Sequence, residues 1–459
     1  MSRIQELHAR QILDARGDPT LEVTVSTADG DFTAAVPCGF RAETADGTRR
    51  DGDEDKYGGR GVASAVERVN LELSDAVVGM DPTDQEGIDQ AMADAEADDG
   101  GQPGRRPLGT NALLGVSMAV CRAGAAKKGI PLYKHINALA GNPTMLLPCP
   151  AFAMIQGGLG LGGMPFRELL VLPTGAETYA EALRMGAEVY AKLKVLVTEK
   201  YGAAATTVGD EGGLSPPGLS KASEGLALLQ EAITAAGHST DVVQLAVDAG
   251  ASDLFRRTEG GGYNLDRFLR KSKRNTGTGD GVKTTEELST LYKQLAAEFG
   301  VVSFEDPFYK GDWEGHIALV GALGEMVQIV GDDLLVSNAE KVEEAIQQDA
   351  VNGLCLELGR APTVSVAIEL NNQARNAGFG VVVAGRSGET SDTFLADFAV
   401  GLGTGQVKAG APCRGERVAK YNQLLRIEED LGDRANYAGE YWRDPWLLQP
   451  LARARSMNV

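Results

Sequence analysis

No CxxC pair occurs in this 459-residue chain, and its five cysteines, Cys38, Cys121, Cys149, Cys355 and Cys413, lie far apart. That spacing indicates neither a disulfide framework nor a structural zinc site, and it fits a reducing compartment. Nowhere do about twenty apolar residues run together without a charge, so no membrane-spanning helix is expected. The N-terminus, MSRIQELHARQIL, has no long apolar core and no cleavage-site pattern, and a cytoplasmic protein is expected. Positive charge is also short, with 44 Lys+Arg against 64 Asp+Glu and a net charge of -20. Nucleic acid and anionic membranes are repelled by such a balance at long range and are not expected as partners, whereas solubility and cations are favoured.

With 43% hydrophobic and 24% charged residues, the chain is ordinary globular material, long enough for two domains. TLEVTVST (Thr20 to Thr27) alternates with period two, and DFTAAVP (Asp31 to Pro37) follows an Asp-Gly turn, which reads as a β-hairpin. Val62, Val66, Val69 and Leu73 share a helical face, and LGTNALLGVSMAV (Leu108 to Val120) reads as a small-residue helix suited to close packing. From about Asn142 onward, short apolar runs end in polar or Gly-rich residues and precede amphipathic helices: VVQLAVD, VVSFED, VQIVGDD, GLCLELG, GVVVAGRSG and QVKAG. Repeated βα units of this kind predict a closed parallel barrel, with polar strand ends converging at one rim. A doubly wound open sheet is the other reading, but no GxGxxG opens its first βα unit. The expected layout is an α+β domain over 1–141, a barrel over 142–442 and a C-terminal extension over 443–459.

Asp248, Glu305 and Asp332 each sit at such a strand end. Three carboxylates at one rim repel one another unless a hard divalent cation such as Mg²⁺ neutralises them. Each acid taken alone reads more readily as a cap on the helix after its strand. GDEGG (Gly209 to Gly213) presents Asp210 and Glu211 on a tight loop, which is either a ligand loop or a bland acidic turn. Arg386 and Ser387 in GRSGET form a candidate anion clamp, and Lys408 ends the next strand; singly, such residues are commonly surface ion pairs.

Taken together and in order, several stretches resemble the enolase family from about Ile4 to Trp442: ARQILDARGDPTLEV, LGTNALLGVSMAV, GDEGG, FEDPF, GDDLLVSN, RSGETSDT and KYNQLLRIEEDLG. The resemblance implies an α/β fold, an enolase-type (β/α)8 barrel with a smaller N-terminal α+β domain, whose early strands depart from parallel order. It also implies Mg²⁺-assisted interconversion of 2-phosphoglycerate and phosphoenolpyruvate, with a lysine as base. Matched by motif, Asp248, Glu305 and Asp332 would be metal ligands. Glu168 and Glu211 would assist departure of the hydroxyl, Arg386 and Ser387 would hold phosphate, and Lys408 would be the second active-site lysine.

The departures from the family pattern bear on function. Glu357, in GLCLELGRAPT, stands where the base lysine is expected. A free Glu is about six pKa units less basic than a free Lys, about 8 kcal/mol in driving force. The charge reversal costs an anionic substrate on the order of 6 kcal/mol at ~5 Å and an effective dielectric near 20. Gly385 and Gly160 replace two histidines of the pattern, and Arg41 replaces a serine that reaches a second metal, leaving one Mg²⁺ site expected. Arg167 replaces a glutamine and is expected to pair with Glu357.

These losses lead to the expectation of a non-catalytic member: a scaffold, a regulator or a structural subunit, with weak binding of a small phosphorylated acid. The alternative is a Mg²⁺-dependent lyase, acting on the family's substrate or on a related acid through Glu357 and Lys408. The expected partners are a second copy, an active enolase in a mixed dimer, or a larger assembly, cytoskeletal or flagellar among them. The tail RDPWLLQPLARARSMNV either packs on its own barrel or docks elsewhere.

Overall fold

The computed structural model describes residues 2–39, 50–100, 109–158, 163–257, 261–269 and 280–448. Arg41, Gly160 and the last eleven residues of the tail lie outside them. The N-terminal part is a three-stranded antiparallel meander of β1 (Glu6–Leu13), β2 (Pro19–Thr27) and β3 (Gly30–Ala35). β2 and β3 are the expected hairpin. β1 is an addition that the alternation did not single out, because its inward face is short, with only Leu7 and Ala9 buried.

Leu21, Val23 and Val25 of β2 are fully buried and face the helix Thr110–Lys127. A Cβ on Gly115 would lie 2.8 Å from Val23 Cγ2, so the small residues of that helix are what allow helix and sheet to approach. Before it, Val69 and Leu73 are buried and Val66 half-buried along Ala63–Val77, a helix that follows the buried N-cap residue Val62 and is interrupted by a π turn at Val69–Leu73.

The second part is a barrel. Its first strand is broken at Ala151 into β4 (Cys149–Pro150) and β5 (Phe152–Gln156), followed by β6 (Glu168–Leu172) and β7 (Gln244–Asp248). A small antiparallel excursion, β8 (Tyr263–Asn264) with β9 (Val282–Lys283), comes next. The barrel then resumes with β10 (Val301–Glu305), β11 (Gln328–Gly331), β12 (Gly353–Glu357), β13 (Gly380–Ala384) and β14 (Gly405–Lys408). The sheet order β4-β14-β13-β12-β11-β10-β7-β6-β5 begins and ends on the two pieces of one strand, and so closes on itself. All neighbouring pairs are parallel except those of β6, which runs antiparallel to both β5 and β7. The closed sheet rules out the doubly wound alternative.

The helix caps lie elsewhere than on the rim acids. After β10, β11 and β12 the caps are Asp312, Asn338 and Thr363, whose side chains accept from Gly315, Lys341 and Val366 N–H. Glu305 and Asp332 are therefore not needed as caps. Beyond the barrel, Trp442 and Pro445 are buried, Pro445 against Gly405, so the described start of the extension packs on its own barrel.

Candidate active site

Strand register assembles the site. Glu168 pairs across from Asp248, and Asp248 across from Glu305, so three acids stand abreast on β6, β7 and β10. Glu168 joins this row because β6 runs backwards: its first residue lies at the rim where the parallel strands end. Across the mouth, Glu357 is level with Ala384, and Ala384 with Lys408. Asp332 follows β11 directly, its N–H donating to Asp306 Oδ1 at 2.9 Å. Glu168, Asp248, Glu305, Asp332, Glu357 and Lys408 line one cleft of about 710 Å³, together with Glu211, Gly385, Arg386 and Ser387.

Cations stitch the acids together. Lys408 Nζ lies 2.7 Å from Asp248 Oδ2, 2.9 Å from Glu305 Oε1 and 3.2 Å from Glu168 Oε2. Arg167 lies 3.8 Å from Asp332, 3.9 Å from Asp248 and 3.4 Å from Asp333. The expected pair of Arg167 with Glu357 does not form. Arg167 precedes β6, beside β7, and reaches the carboxylates at the end of β7 and just after β11. Glu357 instead meets Arg360, three residues on in the turn Leu358–Arg360, and has Arg386 Nε at 3.6 Å. Arg360 also holds Asp332 Oδ1 at 3.0 Å and Asp333 Oδ1 at 3.4 Å.

The GDEGG loop is fastened from two sides. Gln156 Oε1 accepts from Glu211 and Gly213 N–H at 3.0 and 3.2 Å, and Gln156 Nε2 donates to Glu168 Oε1 at 3.3 Å. Ser387 Oγ donates to Glu211 Oε1 at 2.9 Å, and the fully buried Arg417 pairs with its other oxygen. Gly212 has φ +85°, and a Cβ there would meet Cys413 O at 2.9 Å, so glycine is required by both conformation and space. At Gly385, a Cβ would lie 3.1 Å from Glu389 Oε1. Gln156, Arg360 and Arg417 were not singled out from sequence. Only Arg360 carried a local signal, its i,i+3 spacing from Glu357.

Burial sets the proton affinities. It pushes Glu168 up to about 7, Glu305 to about 8 and Asp332 to about 7 against the pull of Lys408 or Arg360. For Lys408 burial works the other way, but Asp248 and Glu305 outweigh it, and its ammonium is held well above the ordinary lysine range.

The donor set fits a divalent cation. Asp248, Glu305 and Asp332 offer buried hard oxygens, and Asp248 Oδ1 is buried without a hydrogen-bond partner. Mg²⁺ held there would neutralise these acids and stabilise negative charge developing on a bound carboxylate.

Comparison with known proteins gives a full-length match. The family model for the enolase N-terminal domain matches residues 4–136, and that for the enolase C-terminal TIM barrel domain matches 144–445. The chain is 46% identical over 451 residues to a protein named enolase from Solanum lycopersicum, covering 97% of this chain and 99% of that one. It is 47% identical over 448 residues to enolase 2 from Hevea brasiliensis, covering 96% and 98%. To cytosolic enolase 3 from Arabidopsis thaliana it is 45% identical over 444 residues, covering 96% and 90%. These relatives lend no support to the expectation of a non-catalytic member, nor to a cytoskeletal role. No helix among the described residues is long and apolar enough to cross a membrane.

Proposed function

The chain belongs to the enolase family, and on that premise we propose that it is a Mg²⁺-dependent carbon–oxygen lyase in which Glu357 takes the proton-accepting place. Its substrate is a small phosphorylated carboxylic acid of the 2-phosphoglycerate and phosphoenolpyruvate kind. The observation that carries this reading is the register: Glu168, Asp248 and Glu305 abreast on one side of the mouth, Glu357 and Lys408 level on the other, in a single cleft. A cytoplasmic location goes with it.

In the dehydration direction, the C–H bond next to the substrate carboxylate breaks and its proton passes to Glu357. The adjacent C–O bond then breaks, and the departing hydroxide takes a proton from the Glu168 and Glu211 side to leave as water, while a C=C bond forms. Burial raises the proton affinity of Glu168 above the ordinary carboxyl range, against the pull of Lys408, which suits it to hold that proton. Arg386 and Ser387 orient the phosphate, and Lys408 supplies a fixed positive charge. Bound Mg²⁺ supplies stabilisation of the enolate-like charge.

One observation favours a second reading. Arg360 and Arg386 both engage Glu357, which suits a site that binds the acid without turning it over. The two readings separate on an assay of purified protein for 2-phosphoglycerate dehydration with excess Mg²⁺. Turnover that disappears in Glu357→Gln supports the lyase. Absence of turnover alongside ligand binding supports the scaffold.

A further inference from the structure

Arg417 is the third residue of the helix Gly415–Leu431, where the positive end of the helix dipole opposes a cation, and its side chain is fully buried. A charge buried at that end persists only where its partners are strong. Nη1 lies 2.5 Å from Glu211 Oε2, and Nη2 donates to Arg386 O at 2.8 Å. One guanidinium therefore joins the GDEGG loop to the turn that carries Arg386 and Ser387.

The surroundings are built around this joint. At Gly410, with φ +93°, a Cβ would lie 2.5 Å from Glu211 O and 2.9 Å from Arg417 Cδ, so the chain just after β14 leaves room for both. Three residues along the same helix, the buried Lys420 pairs with Glu389 Oε2 at 2.9 Å, and Glu389 Oε1 accepts from Arg386 N–H at 3.0 Å. One helix thus fixes the Arg386 backbone at its carbonyl and, through Glu389, at its N–H.

We propose that Arg417 is a positioning residue that sets the Glu211 carboxylate at a fixed place relative to the phosphate held by Arg386 and Ser387. The inference rests on the reading that Glu211 assists departure of the hydroxyl, and adds what aims it. Both carboxylate oxygens are taken, Oε1 by Ser387 Oγ at 2.9 Å and Oε2 by Arg417, which holds the group against rotation. A displacement of about 1 Å in such a group costs on the order of 10²-fold in rate. The C–H step belongs to Glu357 and does not use this joint.

The test follows two rates with 2-phosphoglycerate and excess Mg²⁺ in deuterium oxide: exchange of the proton next to the carboxylate, and formation of phosphoenolpyruvate. In folded Arg417→Gln, phosphoenolpyruvate formation is expected to fall about 10²-fold while exchange changes less than about threefold, so the ratio of exchange to product rises. Arg417→Lys keeps the charge but gives up the forked contact, and its ratio is expected to fall between the two. An unchanged ratio in folded Arg417→Gln, the result of a purely structural ion pair, overturns this inference and leaves the lyase reading standing. Neither exchange nor product in the unaltered protein overturns both. Should Arg417→Gln fail to fold, Arg417→Lys decides: a ratio raised at least about threefold supports the proposal, and an unchanged ratio overturns it.

Discussion

Glu357 ends β12 with its carboxylate bound by the guanidinium of Arg360, three residues further along the chain. The same guanidinium holds Asp332 and Asp333, so Glu357 and the rim acid Asp332 share one counter-ion. Arg360, Arg167 and Lys408 offset part of the charge of this mouth from within the chain.

Replacing Arg360 by Gln removes a cation that competes with any metal for Asp332. Mg²⁺ affinity is expected to rise on the order of tenfold, since a divalent ion no longer faces a like charge a few ångströms away. The metal-free protein is expected to lose about 3 kcal/mol, because Asp332 and Asp333 are left with fewer partners in a buried site. Titration calorimetry with Mg²⁺ and denaturant unfolding of the metal-free form check the two effects, which have opposite signs.

Stability should depend on pH in a direction set by burial. Glu168, Glu305 and Asp332 have folded-state pKa values near 7, 8 and 7, above the value of about 4 for free carboxyls. A raised carboxyl contributes stability in full below its unfolded value, and that contribution is lost as pH rises through the folded value. The metal-free protein is therefore expected to melt at lower temperature at about pH 9 than at about pH 6. Excess Mg²⁺ favours the ionised carboxylates and is expected to offset the loss, most strongly at the higher pH. Thermal unfolding at both pH values, with and without Mg²⁺, reads this directly.

The two parts of the molecule are joined by Arg122, whose guanidinium grips Asp392 at 2.7 and 2.8 Å while Asp392 also accepts from Ala35 N–H at 2.9 Å. Arg122→Ala leaves a buried carboxylate without its cation and is expected to cost about 3 to 5 kcal/mol. Arg122→Lys is expected to recover part of that, since the bidentate geometry is lost but the charge is kept. Denaturant unfolding of the three proteins gives the values.

Much of the architecture was legible because the local chemistry was unambiguous. The period-two run at Thr20–Thr27, the small residues around Gly115 and the apolar runs ending in Asp248 and Glu305 each declare their element. Glu168 is different. Its place on the rim depends on β6 running antiparallel, and no local pattern signals a strand's direction, so only the family resemblance brought it to the site. Arg167 was assigned the wrong partner for the same reason: ion pairing follows register across β6 and β7, not distance along the chain. Arg417 lies 206 residues beyond Glu211 in sequence, and their contact exists only once the barrel closes.

The central claim is that Glu357 carries the proton in a metal-assisted site. It is tested most directly by following exchange of the proton next to the carboxylate of 2-phosphoglycerate in deuterium oxide with excess Mg²⁺, for the unaltered protein and for Glu357→Gln. The expected result is exchange accompanied by phosphoenolpyruvate formation, reduced about 10² to 10⁴-fold in Glu357→Gln, measured where unfolding shows the variant to be folded. No exchange in the unaltered protein, or equal exchange in the variant, contradicts the account.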